Sequence, residues 1–227
     1  MPPADHHPVI AIDGPAASGK ASPARAVAAA LGFRHADSGA LYRAVTAARL
    51  QMGGAPDAWT EASVLEAARA VAVHPAGGVF DVRVAGAPAE AELRGEAVTA
   101  QVSRVARMPG VRAWVNERMR ECATMGPIVV DGRDMGTAVF PDAALKVWLV
   151  ASTTERARRR SVEMLGRVPT DEELAAEAGQ LEARDARDSR QTRPAAEAVE
   201  VDTTRLTPDE QVAHIVALAR DRLPSRR

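Results

Sequence analysis

The stretch Val9-Ile10-Ala11-Ile12-Asp13-Gly14-Pro15-Ala16-Ala17-Ser18-Gly19-Lys20 constrains this chain more than any other. Val9 to Ile12 is a short apolar run rich in β-branched side chains, which predicts a buried strand. It passes straight into a turn of small residues, Gly14 to Gly19, and then into a helix-forming stretch, Arg25 to Leu31. Glycines at both ends let successive backbone N–H groups turn inward, and the helix N-terminus adds its partial positive charge. An ordinary glycine-rich turn is the plain alternative. The strand–loop–helix context favours a phosphate cradle built from Gly14, Pro15, Ala16, Ala17, Ser18, Gly19, Lys20, Ala21 and Ser22, with Lys20 reaching the outer phosphates.

Lys20 carries a second clue, because only Lys20 and Lys146 among the 29 basic residues are lysine. A chain that uses arginine almost everywhere still places a slim ammonium at the end of this loop. The hydroxyl that usually follows the lysine, and serves a metal ion, is replaced by Ala21; the hydroxyl expected to do so comes one place later, at Ser22.

The 227 residues suit one α/β domain with insertions. A formal net charge of −1 argues against a dedicated binder of nucleic-acid polymers. Cys122 is the sole cysteine, so no internal disulfide forms and a reducing, cytoplasmic location is expected. No apolar stretch is long enough for a bilayer, and Met1 to Pro8 is polar and unlike a signal peptide. His6 and His7 read as a solvated tail.

Further along, Gly32 ends the first helix and Phe33 to Ala36 predicts a short strand leading to Asp37-Ser38-Gly39. Asp37 or Ser38 could simply cap the next helix, Leu41 to Gln51, which leaves Tyr42 and Arg43 unexplained. Another helix is expected over about 60–71. The alternating run Val79 to Val84, punctuated by glycines, predicts a small antiparallel meander riding on the core. Helical patterns follow over Ala97–Val105 and Pro109–Thr124. Ile128–Val130, Ala144–Val150 and Val199–Asp202 complete the strands, and Ser152-Thr153 and Thr207 to Glu210 open helices. Strands alternating with helices imply a parallel sheet covered on both faces.

The strand end Asp131-Gly132-Arg133-Asp134 projects carboxylates and a cation from one sheet edge, where open parallel sheets bind ligands. Asp131 there is a candidate to organise a metal. Helical spacing puts Arg156, Arg159 and Arg160 on one face and Arg158 elsewhere. As a group they suggest a basic flap that closes over polyphosphate. Arg184, Arg187 and Asp188 form a similar set.

With these runs in view, the chain resembles bacterial cytidylate (CMP) kinases over nearly its whole length. The resemblance rests on Ile10 to Pro15, Asp37 to Arg43, Asp131 to Thr137, Val139 to Ala143 and Arg184 to Asp188. It implies transfer of the γ-phosphoryl of ATP to CMP or dCMP with Mg²⁺. It implies a three-layer α/β/α core of the phosphate-loop NTPase class at 1–44, 106–154 and 191–227. A monophosphate-binding insertion at 45–105 and a helical lid at 155–190 would complete it. By position, Ser103, Arg112 and Asp134 would read cytosine, Arg43 and Arg133 would hold the acceptor phosphate with Ser38 nearby, and Arg184 and Asp188 would contact ribose. Lys20, Asp131, Arg133, Arg159 and Arg160 would serve the transfer itself. A monomer without membrane partners is expected.

Two stretches depart from the family's pattern. Lys20-Ala21-Ser22-Pro23 stands where Gly-Lys-Gly-Thr usually continues, and Ser189 to Pro194 is a shortened form of an Arg-x-x-x-Pro-Leu run. Arg190 and Arg193 are alternatives for the arginine expected there. A kinase for another small acceptor, and a nucleotide-binding protein weakened in catalysis, are the rival readings.

Overall fold

The computed structural model describes residues 7–88, 90–188 and 192–223; His6, Ser189, Arg190 and Gln191 lie outside the described residues. In chain order the elements are β1 (Val9–Asp13), α1 (Ala21–Leu31), β2 (Arg34–Asp37), α2 (Ser38–Gln51), α3 (Glu61–Ala68), β3 (Val71–Ala76), β4 (Val79–Val84) and β5 (Ala87–Pro88). Then come α4 (Glu90–Leu93), α5 (Glu96–Val105), α6 (Pro109–Thr124), β6 (Ile128–Gly132), β7 (Leu145–Val150), α7 (Thr153–Leu165), α8 (Asp171–Asp188), β8 (Val199–Asp202) and α9 (Pro208–Arg222).

The sheet order is β3-β4-β2-β6-β1-β7-β8. From β4 to β8 the neighbours run parallel, while β3 and β5 flank β4 antiparallel. The period of two along β1 and β6 decides how both faces are covered. Val9, Ala11, Ile128 and Val130 pack under α2, α3, α5 and α6, whereas Ile10, Ile12 and Val129 pack under α1 and α9. Ile10 and Ile12 are fully buried, and each contributes roughly 1.5–3 kcal/mol by leaving water. The result is the expected three-layer α/β/α arrangement.

Local chemistry sets the helix starts. Asp37 caps α2 by accepting the Ala40 N–H at 3.1 Å, Ser152 caps α7 through the Glu155 N–H, and Thr207 with Glu210 forms a capping box on α9. Helix α1 begins at Ala21, earlier than its apolar spacing suggests, with Pro23 in the first turn where its missing N–H costs nothing.

The alternating run forms the expected antiparallel meander, β3-β4-β5. It also joins the sheet itself, since β4 lies parallel beside β2 and the His35 N–H donates to the Gly78 carbonyl at 2.9 Å. Phe80 and Val84 need apolar cover, and they find it in the same core as α2. Residue 45 falls inside α2, and residue 155 inside α7. The helix expected over 60–71 ends at Ala68, because Val71 already belongs to β3.

Candidate active site

The register places Ile12 and Asp37 opposite Asp131, so the C-terminal ends of β1, β2 and β6 finish level with one another. The phosphate loop leaves β1 at that edge. A Cβ on Gly14 would lie 2.2 Å from the Leu149 carbonyl oxygen, so only glycine lets the loop leave β1 so close to β7. Ala17 (φ 56°) and Gly19 (φ 77°) then take left-handed conformations, which curl the backbone round. Lys20 Nζ lies inside that curl, donating to the carbonyls of Gly14 at 2.9 Å and Pro15 at 2.8 Å and to Ser18 Oγ at 3.2 Å.

Burial and the Arg133 guanidinium pull the Lys20 ammonium down to about 8, against the opposing pull of Asp131, Asp13 and Asp37. Lys20, Arg133 and three carboxylates therefore share one electrostatic site. Asp37 is pushed up to about 6 by burial and then by Asp131. Asp131 Oδ1 is 2.7 Å from His35 Nε2, both side chains buried, and Ser38 Oγ donates to the Asp131 carbonyl at 2.8 Å. Ser38, expected near the acceptor phosphate, is thus engaged in holding the end of β6.

Beyond β6 the chain makes one wide turn, Met135–Val139, closed by the Phe140 N–H on the Met135 carbonyl at 2.7 Å. Asp134, just before it, is buried and paired with Arg112, whose Nη1 also donates to the Ala106 carbonyl at 3.2 Å. Burial pushes the Asp134 carboxyl up, while Arg112 and then Arg133 oppose the shift. The Tyr42 hydroxyl is buried with no hydrogen-bond partner among the described residues, and burial raises it to about 12. Its charge neighbours are Arg112 and Asp134. Ser103 is half-buried on α5.

Two of the arginines share one carboxylate. Asp188 Oδ2 is 3.2 Å from Arg133 Nη1 and 3.7 Å from Arg184 Nε. Arg184 is lowered to about 10 by burial and then by Arg133, with Arg160 and Arg43 adding to the repulsion. Arg43 is lowered by burial, Arg160 and Arg94, and its Nη1 donates to the Leu93 carbonyl and Thr99 Oγ1. Arg133 Nη1, Arg160 Nε and Arg184 Nε are buried, and each faces a carboxylate as an ion pair without hydrogen-bond alignment, Asp188 for Arg133 and Arg184 and Glu177 for Arg160. Guanidinium groups crowded in this way suit a multiply charged oxyanion.

The basic face of α7 divides in a way that helical spacing did not reveal. Arg156 is buried and spent on structure: Nη1 donates to the Ala16 carbonyl at 2.9 Å and to Asp185 Oδ2 at 2.6 Å. Asp185 Oδ1 accepts the Ala16 N–H at 3.3 Å, and Ala16, Ala157 and Leu181 pack together, so the helical pair grips the loop. Arg159 lies near Gly19 but is tied to Glu155 and Thr203. Arg160 pairs with Glu177 at 2.8 Å and lies close enough to Arg184 and Arg43 to repel both. Arg158 is solvent-side, paired with Glu155. Arg193 is exposed.

Ser22 is exposed on the first turn of α1. Among the described residues no group of three His, Cys, Asp or Glu side chains gathers as a metal site. Asp13, His35 and Asp185 were missed as site residues; Asp13 and Asp185 stand inside the runs that carry the resemblance, but their partners are distant in sequence. No helix among the described residues is long and apolar enough to cross a membrane.

Residues 10–221 match the family model described as cytidylate kinase. The cytidylate kinase of Geobacillus kaustophilus (strain HTA426) is 42% identical over 221 residues, covering 94% of this chain and 97% of that protein. That of Mycobacterium avium (strain 104) is 41% identical over 220 residues, covering 94% and 96%. A bifunctional pantoate ligase/cytidylate kinase of Synechococcus sp. (strain RCC307) is 40% identical over 222 residues, covering 96% of this chain. The chain spans 43% of the length of that two-activity relative. A parallel sheet ending in a lysine-bearing phosphate loop, the Asp131–Asp134 strand end beside it and a match from residue 10 to residue 221 lead to one family, and the chain belongs to the cytidylate kinases.

Proposed function

We propose that the protein transfers the γ-phosphoryl group of ATP to CMP or dCMP. The observation that carries this reading is the meeting of Lys20, the Arg133–Arg184–Arg160–Arg43 group and the Arg112–Asp134 pair at one end of the sheet. The loop from Gly14 to Ser22 would hold the donor phosphates, with Lys20 leaving the loop carbonyls for the outer ones. Arg43, Arg133 and Arg184 would hold the acceptor phosphate and its ribose with Asp188. Arg160, next to them on the lid, would neutralise charge as it shifts from donor to acceptor, and Arg159 would cover the loop near Gly19. Positioning and charge neutralisation are what phosphoryl transfer asks of a protein, since the acceptor phosphate oxygens are already nucleophilic.

Asp134 would select the base. Cytosine offers an amino donor where uracil offers a carbonyl, and a buried carboxylate left facing that carbonyl is penalised by ~1–3 kcal/mol. Ser103 and Arg112 would complete the pocket. The Ser22 hydroxyl, exposed on the first turn of α1, and the Asp131 carboxylate, which shares the electrostatic site of Lys20, would be the oxygen ligands for a hard divalent cation that arrives on phosphate and needs few protein ligands. Mg²⁺ bound there would supply charge neutralisation between donor phosphates. The segment 45–105 would act as the monophosphate-binding part and 155–190 as the lid, in a cytoplasmic monomer.

A coupled ADP-release assay across CMP, dCMP, UMP and AMP tests the reading. CMP and dCMP should outcompete the others. Equal turnover of UMP would remove the base assignment, and binding of CMP and ATP without ADP release would leave a nucleotide-binding protein.

A further inference from the structure

We propose that Asp13 is a positioning residue for base selection, fixing the turn that carries Asp134 to the strand that carries the phosphate loop. The inference rests on the base-reading role given above to Asp134. Asp13 is the buried last residue of β1, and both of its carboxylate oxygens are spent on consecutive amides of the wide turn. Oδ1 accepts the Met135 N–H at 2.9 Å and Oδ2 accepts the Gly136 N–H at 2.7 Å.

This contact performs a capping task from a distance. The residue in position to cap the turn is Asp134, with φ −145° and ψ 24°, yet its side chain makes no capping hydrogen bond. An aspartate there would ordinarily turn back to the orphan N–H groups that follow it. Because Asp13 already satisfies them, the Asp134 carboxylate stays with Arg112.

The turn is held from its other side too. A Cβ on Gly136 would meet Lys146 Cγ at 3.3 Å and Asp13 Oδ2 at 3.4 Å, so Gly136 lies between the carboxylate and the lysine stem. Lys146 Nζ is itself anchored on Glu197 at 2.9 Å. This gives the second of the chain's two lysines a place in the same assembly. Gly14, the very next residue after Asp13, supplies a carbonyl that Lys20 binds. Two adjacent residues therefore set the lysine of the donor side and the base-reading turn of the acceptor side in one frame. Burial pushes the Asp13 carboxyl up to about 6 in spite of its two amide bonds, a cost that a merely space-filling residue would not carry.

The test is Asp13→Asn, which keeps the shape but leaves one oxygen to accept where two were needed, so one turn amide faces an NH₂ group. Amide hydrogen exchange in the ligand-free protein should show lost protection at Met135 or Gly136, whichever faces the NH₂ group, and little change at amides outside the turn. With ATP saturating, the KM for CMP should rise and the CMP-to-UMP ratio of kcat/KM fall by about tenfold, the size of one buried polar mismatch. The KM for ATP should stay within about threefold. Gly136→Ala, which presses on the same contact from the lysine side, should give the same pattern at smaller size and serves if Asp13→Asn does not fold. Retained protection at both amides, or equal movement of the KM values for CMP and ATP, overturns the proposal. Were the wild-type protein to turn over no CMP, the activity reading would fall by itself, and the exchange result would still decide whether Asp13 holds the turn.

Discussion

Replacing Asp188 by asparagine removes the one negative charge set between Arg133 and Arg184. At 3.2 Å and 3.7 Å the two attractions are each on the order of 5 kcal/mol with an effective dielectric near 20, before desolvation is subtracted. Asp188 is 8% exposed, so solvent does little to replace it, and truncating one partner of such a buried set typically costs ~3–5 kcal/mol. Asparagine keeps the volume and can still accept one hydrogen bond, which puts the expected loss near the lower end, ~3 kcal/mol. For a chain of 227 residues that lowers Tm by roughly 6–12 °C. The loss should be partly reversed by inorganic phosphate, because the variant leaves Arg133 and Arg184, with Arg160 and Arg43 nearby, short of one negative charge that an oxyanion can supply. Thermal unfolding followed by circular dichroism, with and without millimolar phosphate, reads both effects. A Tm within about 1 °C of wild type, with the same phosphate response, would refute the idea that these arginines wait for an anion.

Other consequences are direct. Arg112→Ala leaves Asp134 buried without its guanidinium, so the KM for CMP should rise at least tenfold, by about 1.4 kcal/mol or more, with the KM for ATP little changed; parallel changes in both would contradict the pairing. The Lys20 ammonium is lowered to about 8 by burial and Arg133, so it is charged below that value and neutral above it. In the free enzyme kcat/KM for ATP should therefore fall as pH rises through about 8, and a profile flat to about pH 10 would contradict this. Gly14→Ala sets a Cβ 2.2 Å from the Leu149 carbonyl oxygen, a clash between backbones that no rotamer relieves. It should cost ~1–3 kcal/mol in chemical denaturation and raise the KM for ATP as the loop is displaced.

The parts of this fold legible in the sequence are those decided within one turn or one strand. The β1 run, the glycine-bounded loop and the caps at Ser152 and Thr207 need only their neighbours, and they are found where the residues indicate. The edge that β4 joins was not legible, because alternation gives the buried face of a strand and not its partner. Arg156, Arg159 and Arg160 share a helical face, yet their tasks differ because Ala16 and Asp185, Thr203, and Glu177 meet them from three other segments. The wide turn at Met135–Val139 was hidden for the same reason: its cap, Asp13, lies 122 residues earlier. The strand end gives Arg133 and Asp134 and helical spacing gives Arg184 with Asp188, but their roles came only through the resemblance, and the structure brings each into contact with charges that spacing alone could not supply.

Two nucleotides should meet end to end between the phosphate loop and the Arg133–Asp134 turn. A crystal structure with CMP and a non-hydrolysable ATP analogue bound together would place them. The γ-phosphate should lie beside Lys20, the CMP phosphate among Arg43, Arg133 and Arg184, and the cytosine amino group on the Asp134 carboxylate. A CMP base lying away from Asp134, or the two phosphates on opposite sides of Lys20 and Arg133, would contradict it.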